Sequence, residues 1–252
     1  MAELKCILWD VDGTLADTER DGHRVAFNMA FEEAGLDRRW DVETYGELLK
    51  VTGGKERMQF DIERGGMPDM PFEKIAELHA RKTIHYQSLI ADGLIPLRAG
   101  VLRLLEEAYA EGITLGISTT TTPAALDVLI EHSLGKEWFD RFAVLAAGDI
   151  VPAKKPAPDI YEYAMKELDV APENTLALED SGNGWLSAQA AGLKCVITVN
   201  EYTANQDFDG ADLIVSELGD AGREPIQILG NKHSLDQLEY VTLSHFKAIM
   251  VD

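Results

Sequence analysis

LKCILWDVDGTLADTE, residues 4–19, is the stretch from which the fold follows. Its first six residues form a short, mostly apolar run of the kind that makes a buried strand, and acidic residues follow at once. Similar runs recur at 113–118, 142–146, 175–178, 194–199 and 212–215. Helix-like stretches lie between them at about 99–111, 123–134, 157–168 and 183–191, the last followed by Gly192 as a C-cap. This alternation predicts an α/β fold with a Rossmann-like parallel sheet and helices on both faces.

One interval breaks the alternation. The distance from Asp17 to the apolar run at 113 far exceeds the ~30 residues of a strand–helix–strand unit, and residues 18–92 look helical throughout. A structureless loop of that length is implausible in a compact domain. We therefore expect a catalytic core of residues 1–17 and 93–252 and an inserted helical cap domain at 18–92, hinged near the two junctions. After residue 203 we expect a strand near 212 and a C-terminal helix or two to complete the core.

The net charge of the protein bears on which classes of partner it can bind. The net charge is −21, which disfavours nucleic acid and anionic membrane surfaces, so neither is expected as a partner. The charge is unevenly distributed. Residues 18–92 hold 11 of the 23 Lys and Arg but 15 of the 44 Asp and Glu, a net −4 against −17 for the remainder. Cations are therefore relatively concentrated in the predicted cap.

The sequence also indicates where the protein is located and whether its two cysteines are reduced. No apolar run approaches the ~20 residues that span a bilayer, and the start, MAELKCILWD, resembles no targeting peptide. A cytoplasmic protein is expected, or a stromal one if a plastid transit peptide had been removed. Cys6 and Cys195 each sit in an apolar run, which favours two buried free thiols over a disulfide.

Polar residues follow the predicted strands at the positions where ligands bind in open α/β sheets, beyond the carboxyl ends. These groups, in chain order, are Asp10 with Asp12 and Thr14, Ser118 to Thr122, Lys154 with Lys155, and Glu179 with Asp180. Each group alone has a commoner explanation: a solvated turn, a helix N-cap before Pro123, a surface lysine pair. Their joint occurrence at successive strand ends indicates a phosphoryl-transfer site.

The chemistry of these residues fits that interpretation. A carboxylate at Asp10 can attack phosphorus and form an acyl phosphate. Asp12 can protonate the leaving oxygen and then activate water, and Gly13 permits the sharp turn that brings both carboxylates together. Asp10 and Asp180 offer hard oxygen ligands for Mg²⁺. Hydroxyls at and near Thr119 can bind phosphoryl oxygens, and Lys155 can neutralise the shared negative charge.

The four segments DVDGTLADTE, the threonine cluster, KKPAPDIY and LEDSGNG resemble the four motifs of the haloacid dehalogenase-like hydrolases. The resemblance covers essentially the whole core and implies Mg²⁺ as cofactor. It implies these roles: Asp10 as nucleophile, Asp12 as acid/base and as a metal ligand through its main-chain carbonyl, Thr119 as phosphate ligand, Lys155 as the neutralising lysine, Asp180 as metal ligand and Glu179 assisting it. Ser118 or Thr120 could take the role given to Thr119.

The insertion carries a narrower resemblance. TGGKER (52–57), HARKT (79–83) and the residues around Glu19 and Tyr45 resemble the CbbY type of this family, sugar-bisphosphate phosphatases associated with xylulose 1,5-bisphosphate. Glycines allow close backbone approach, and the nearby cations suit a second, distal phosphate. The expected substrate-binding residues are Glu19, His23, Arg24, Tyr45, Gly54, Lys55, Arg57, Lys82 and Thr120.

The expected function is therefore Mg²⁺-dependent hydrolysis of a small sugar bisphosphate by a monomer or weak homo-oligomer. A phosphomutase resembling β-phosphoglucomutase shares the nucleophile, the acid/base and the helical cap, and differs in keeping water from the phosphoenzyme. A sugar phosphatase of broad specificity is a second alternative. A non-catalytic relative that only binds phosphorylated ligands is a third.

Overall fold

The computed structural model describes residues 2–51, 53–235 and 238–251. Thr52, in the glycine-rich segment TGGKER, lies outside the described residues. The chain divides into two compact units, one formed by Met1–Asp17 with Pro96–Asp252 and the other by Thr18–Ile95. Among the described residues, none of the helices combines the length and hydropathy that a bilayer crossing requires.

The described part of the first unit contains a sheet of seven strands, which are β1 Cys6–Trp9, β2 Thr114–Thr119, β3 Phe142–Ala147, β4 Thr175–Glu179, β5 Lys194–Thr198, β6 Leu213–Val215 and β7 Ile228–Asn231. Their order is β3-β2-β1-β4-β5-β6-β7. Neighbouring strands from β3 to β6 are parallel, and β7 is antiparallel to β6. The predicted α/β fold with a mostly parallel sheet is confirmed.

The helices in the described residues are α1 Arg24–Glu33, α2 Val42–Leu48, α3 Gly54–Glu63, α4 Phe72–Ala91, α5 Val101–Ala110, α6 Pro123–Leu129, α7 Trp138–Arg141, α8 Asp159–Leu168, α9 Gly182–Ala190 and α10 Leu243–Val251. A π-helical turn precedes α1 and another follows α6. Gly192, with φ +76°, follows α9 in the left-handed conformation expected just after a helix.

Strand β1 is buried on both of its faces. Side chains alternate between the two faces of a strand. Cys6 and Leu8 of β1 therefore share one core cluster with α8 and α9, while Ile7 and Trp9, equally buried, face the other side. Cys6 and Cys195 are both buried free thiols, as expected, and burial raises the pKa of Cys6 to about 12.

The second unit is all-helical and has its own aromatic core. Phe27, Phe31 and Trp40 pack with ring centroids 4.7 to 6.0 Å apart. Beside them the fully buried carboxylate of Asp61 accepts hydrogen bonds from Arg38, from the Trp40 indole and from Arg64. A buried carboxylate needs such partners, because an uncompensated charge is costly away from water.

The C-terminal part contains an element that the sequence did not predict. Strand β7 closes the sheet antiparallel to β6, but its four residues ILGN include a glycine and show no apolar alternation. Its position is secured from outside the strand, where His233 Nε2 lies 2.9 Å from Oδ1 of the buried Asp212. Tertiary contacts, rather than local propensity, therefore hold this strand.

Candidate active site

The predicted core residues meet where the order of the strands reverses. Strand β1 lies between β2, which comes next in the chain, and β4, to which the chain returns on the other side. Asp10 directly follows β1, Glu179 ends β4 and Asp180 follows it. The carboxyl edge of an open α/β sheet at such a switch point is where ligands bind.

Lys155 occupies the centre of this group. Its Nζ lies 2.7 Å from Oδ1 of Asp10, 2.5 Å from Oε1 of Glu179 and 2.8 Å from the main-chain carbonyl oxygen of Ser118. An ammonium has three N–H donors, and these three acceptors match them. Burial alone would lower the pKa of Lys155, but the two carboxylates raise it. The lysine therefore stays charged and is held in one place.

The carboxylates outnumber this cation. Oxygens of Asp10, Glu179 and Asp180 lie within 4.8 Å of one another, and all three residues are buried. Burial raises the pKa of Asp10 to about 7, with Lys155 lowering it and Glu179 and Asp12 raising it. Burial, followed by the charges of Asp10 and Glu179, raises the pKa of Asp180. Without a further cation these two carboxyl groups therefore hold protons more readily than usual, because one lysine does not balance three negative charges.

This donor set fits a divalent cation such as Mg²⁺. Mg²⁺ binds hard oxygen ligands, most often carboxylates. Oε2 of Glu179 is buried and has no hydrogen-bond partner among the described residues, so it is available as a ligand. Asp10, Glu179 and Asp180 are the residues that would hold the ion. The metal role expected for the Asp12 carbonyl remains a prediction.

The turn after β1 is shaped to fit Asp180. Gly13 has φ +85°, and a Cβ at this position would overlap Oδ2 of Asp180 and lie 2.8 Å from Nδ2 of Asn200. Only glycine tolerates both the conformation and the space. Asn200 in turn donates a 2.7 Å hydrogen bond to the same Asp180 oxygen.

Arg98 forms hydrogen bonds both to this turn and to the residues at the ends of β5 and β6. Its guanidinium donates to the main-chain carbonyls of Gly13, Thr198, Val199 and Ser216. One planar group with five donors can satisfy several carbonyls at once. The loop carrying Asp12 is therefore fixed against the ends of β5 and β6.

The threonine cluster reaches Asp12 by a residue that the sequence analysis did not single out. Thr121 donates its hydroxyl to Oδ2 of Asp12, while Oγ1 of Thr119 accepts a 3.1 Å hydrogen bond from the Thr121 main-chain N–H. Of the two alternatives to Thr119, Ser118 is fully buried and its hydroxyl has no partner among the described residues. Thr120 is exposed.

Several residues expected to bind substrate lie together in the helical unit. The Tyr45 hydroxyl donates a 2.5 Å hydrogen bond to Glu19. The guanidinium of Arg57 donates to the same hydroxyl at 2.8 Å and lies 3.5 Å from the Glu19 carboxylate. These three side chains form one hydrogen-bonded group.

A second group in this unit surrounds a buried lysine. Lys82 is only 7% exposed, its Nζ lies 2.7 Å from Nδ1 of His23, and it packs over the Phe27 and Tyr86 rings. The His23 ring stacks on Tyr86. Since an ammonium can only donate, Nδ1 of His23 is the acceptor.

Gly54 and Arg24 both have contacts inside the helical unit. A Cβ at Gly54 would lie 2.6 Å from Nε2 of His79, so packing within the unit requires this glycine whatever its role toward a phosphate. Burial, then the charges of Lys82 and Lys55, lowers the pKa of His79. Lys55 lies over the Phe72 ring. Arg24 donates to the carbonyls of Arg20 and Trp40 and is therefore engaged by the main chain.

The sequence reasoning missed four residues that contact the core site: Asn200, Arg98, Thr121 and Tyr161, whose hydroxyl donates to Oε1 of Glu179. Asn200 could have been found from the sequence, because it is a polar residue just beyond a predicted strand. The other core-site residues were selected by that same position. Thr121 stood inside the quoted threonine run, and Tyr161 inside KKPAPDIY. Arg98 had no local signal.

Comparisons with known proteins agree with this geometry. The model of the haloacid dehalogenase-like hydrolases matches residues 4–192. Protein CbbY of Rhodobacter capsulatus is 47% identical over 224 residues, 89% of this chain and 98% of that protein. A crystal structure of a variant CbbY from Rhodobacter sphaeroides in complex with xylulose 1,5-bisphosphate is 43% identical, with a TM-score of 0.76 over 87% of this chain and 96% of that one. β-Phosphoglucomutase of Bacillus subtilis is more distant, at 28% identity over 86% of this chain and 91% of that protein.

Proposed function

The chain belongs to the haloacid dehalogenase-like hydrolases, and we propose that within this family it is a Mg²⁺-dependent phosphatase that hydrolyses xylulose 1,5-bisphosphate through an aspartyl-phosphate on Asp10. One observation carries the proposal: the buried Lys155 ammonium bridges Asp10 and Glu179 at the switch point of the sheet. A nucleophilic carboxylate approaching a phosphate needs such a fixed positive charge.

In the first step an Oδ oxygen of Asp10 attacks phosphorus and the bond from phosphorus to the ester oxygen breaks. Asp12 gives its proton to the departing sugar oxygen. Lys155 stays charged beside Asp10 and offsets the negative charge that accumulates there. The product is the phosphorylated Asp10 and a sugar carrying one phosphate fewer.

In the second step Asp12, now a carboxylate, takes a proton from a water molecule as that water attacks phosphorus. The acyl phosphate bond breaks, inorganic phosphate leaves and the Asp10 carboxylate is restored. The hydrogen bond donated by Thr121 holds Asp12 in place for both proton transfers. A bound divalent cation would supply Lewis-acid charge that lowers the repulsion between carboxylate and phosphate.

The substrate assignment rests on two supports. The CbbY structure from Rhodobacter sphaeroides contains xylulose 1,5-bisphosphate. The helical unit of this chain carries Lys55, Arg57 and Lys82, which suit a second phosphate that a monophosphate substrate lacks. We propose that this unit is the cap domain, and that Glu19, His23, Tyr45 and these cations bind the distal end of the substrate.

The test is phosphate release, with and without Mg²⁺, from xylulose 1,5-bisphosphate, ribulose 1,5-bisphosphate, β-glucose 1-phosphate and fructose 6-phosphate. Hydrolysis is expected to be strongest for xylulose bisphosphate and to stop on chelation. Asp10→Asn should abolish it, whereas Asp149→Asn, an exposed aspartate after β3, should not. Conversion of β-glucose 1-phosphate to the 6-phosphate with little free phosphate would replace the phosphatase by a mutase. Equal rates on all four would indicate broad specificity.

A further inference from the structure

Tyr161 is a buried polar side chain that the proposed mechanism does not use. It lies on α8, is fully buried in the core cluster, and its hydroxyl donates a 2.6 Å hydrogen bond to Oε1 of Glu179. The centre of the phenol ring also lies 5.1 Å from Nζ of Lys155. One side chain therefore contacts both the lysine and a member of the carboxylate cluster.

Oε1 of Glu179 has two donors. Besides Tyr161 it accepts from Lys155 at 2.5 Å. The other partners of Lys155 are Asp10 and the Ser118 carbonyl. Lys155 donates to both Glu179 and Asp10, whereas the hydroxyl of Tyr161 donates to Glu179. Without that donor, Glu179 would depend on Lys155 alone and would compete with Asp10 for it.

The second oxygen of Glu179 has a different environment. Oε2 is buried and unpaired among the described residues, and a Cβ at Gly184 would overlap it. The carboxylate thus fills space that only a glycine in the first turn of α9 leaves open. Both oxygens are constrained by contact with α9, since a Cβ at Gly184 would also lie 2.5 Å from Oε1, and Oε1 is held in addition by its two donors. A buried unpaired carboxylate oxygen is costly, and a cation would remove that cost.

We propose that Tyr161 is a positioning residue that saturates Oε1 of Glu179, so that Oε2 remains the oxygen offered to a divalent cation. This inference rests on the proposed Mg²⁺-dependent phosphatase. In that mechanism Tyr161 touches neither the substrate nor the reacting atoms. It acts through Glu179, and through Lys155 on the orientation of Asp10. Residues that orient metal ligands in this way commonly contribute strongly to metal affinity.

The experiment measures Mg²⁺ binding by calorimetry on the whole protein without substrate. Tyr161→Phe removes one oxygen and keeps the ring, and it is expected to weaken Mg²⁺ binding about 10- to 100-fold. The Mg²⁺ concentration that gives half-maximal activity should rise by a similar factor, with KM for the sugar phosphate at saturating Mg²⁺ unchanged. Tyr163→Phe, the same exchange on the same helix at a partly buried position, should leave both Mg²⁺ measurements unchanged.

A second variant separates positioning from general stability. Glu179→Gln removes the charge that Tyr161 orients, so adding Tyr161→Phe to it should cause no further loss of Mg²⁺ affinity. Equal losses in both backgrounds, or full affinity in Tyr161→Phe alone, would overturn the proposal. Because binding is measured without substrate, a parent protein that hydrolyses none of the four sugar phosphates would refute the proposed function while the affinities still decide the role of Tyr161.

Discussion

Nδ2 of Asn200, in the loop after β5, donates a 2.7 Å hydrogen bond to Oδ2 of Asp180, the residue that follows the neighbouring strand β4. The bond fixes one oxygen of Asp180 while the carboxylate faces Asp10 and Glu179. Burial raises the pKa of Asp180, and this hydrogen bond opposes the rise. Asn200 therefore favours the charged form that a cation requires.

Replacing Asn200 by Ala should weaken Mg²⁺ binding about tenfold, because the Asp180 carboxylate loses the donor that orients it. Calorimetric titration with Mg²⁺ measures this directly. Asn174→Ala is the matched control, since its side chain accepts from the main chain of Glu3 at the opposite edge of the sheet. Unchanged affinity in Asn200→Ala would show that Asp180 is held by its main chain alone.

Gly13→Ala should reduce the rate of phosphate release by roughly 100-fold, the scale expected when a catalytic group moves by about 1 Å. The added methyl group would collide with the Asp180 carboxylate, so either the turn or the carboxylate must shift. Gly35→Ala separates collision from backbone strain, because Gly35 also has positive φ, +67°, but no atom within 4 Å. That variant should lose about 1–2 kcal/mol of stability and keep its rate.

Thr121→Val should lower kcat about tenfold and leave KM unchanged, because it removes the hydroxyl that holds Asp12, the proposed acid/base. A group in that role contributes about 10²- to 10⁴-fold to the rate. Thr121→Ser, which keeps the hydroxyl, should restore the rate. Steady-state kinetics on the preferred substrate provide the measurement. Thr175→Val at the far edge of the sheet should have no effect on kcat. A rise in KM alone would instead place Thr121 in substrate binding.

Asp61 should make the helical unit sensitive to acid. Burial alone would raise its pKa, but hydrogen bonds from Arg38, Trp40 and Arg64 lower it below the ordinary value of 3.8. A folded-state pKa below the unfolded one contributes stability that is complete above the unfolded value and is lost as pH falls through the folded value. Asp61→Asn should therefore cost about 1.5–3 kcal/mol at pH 7, the scale of hydrogen bonds to a charged group.

Thermal unfolding of parent and variant between pH 7 and pH 3 measures this dependence. The difference in stability between them should stay constant down to about pH 4 and shrink below it. Glu77→Gln is the control, because this exposed carboxylate also lies near two cations, Lys74 and Arg81, yet solvent screens it and its effect should be small. A stability difference that widened as the pH fell would contradict a lowered pKa for Asp61.

Local sequence was sufficient where a feature depends on one segment. The apolar runs predicted strands β1 to β6, since buried strands must be apolar on both faces. Helical periodicity between Asp17 and the second strand predicted the inserted helices. The position of polar residues just beyond the carboxyl ends of predicted strands, together with the four motifs, predicted that Asp10 and Lys155 belong to a single site. Membership of the haloacid dehalogenase-like hydrolases and similarity to CbbY are confirmed by the comparisons. The catalytic and substrate-binding roles given to single residues remain predictions.

Other features depended on segments far apart in the chain. Strand β7 lacks any pattern of its own and exists through its pairing with β6. Tyr161 and Glu179 are 18 residues apart, and nothing in either segment shows that the phenol reaches the carboxylate. Arg98 joins carbonyls from separate places in the chain, a role that no residue type or spacing indicates.

The sequence by itself determined which chemical groups this protein has and at which strand ends they stand. It did so because strand and helix patterns repeat over a few residues, and because the proposed phosphoryl-transfer chemistry requires particular side chains. Only the tertiary structure decided how those groups are held: Asp180 by Asn200, Asp12 by Thr121, Glu179 by Tyr161. Such contacts form between segments that come together when the sheet assembles and excludes water, and burial then sets their charge and strength.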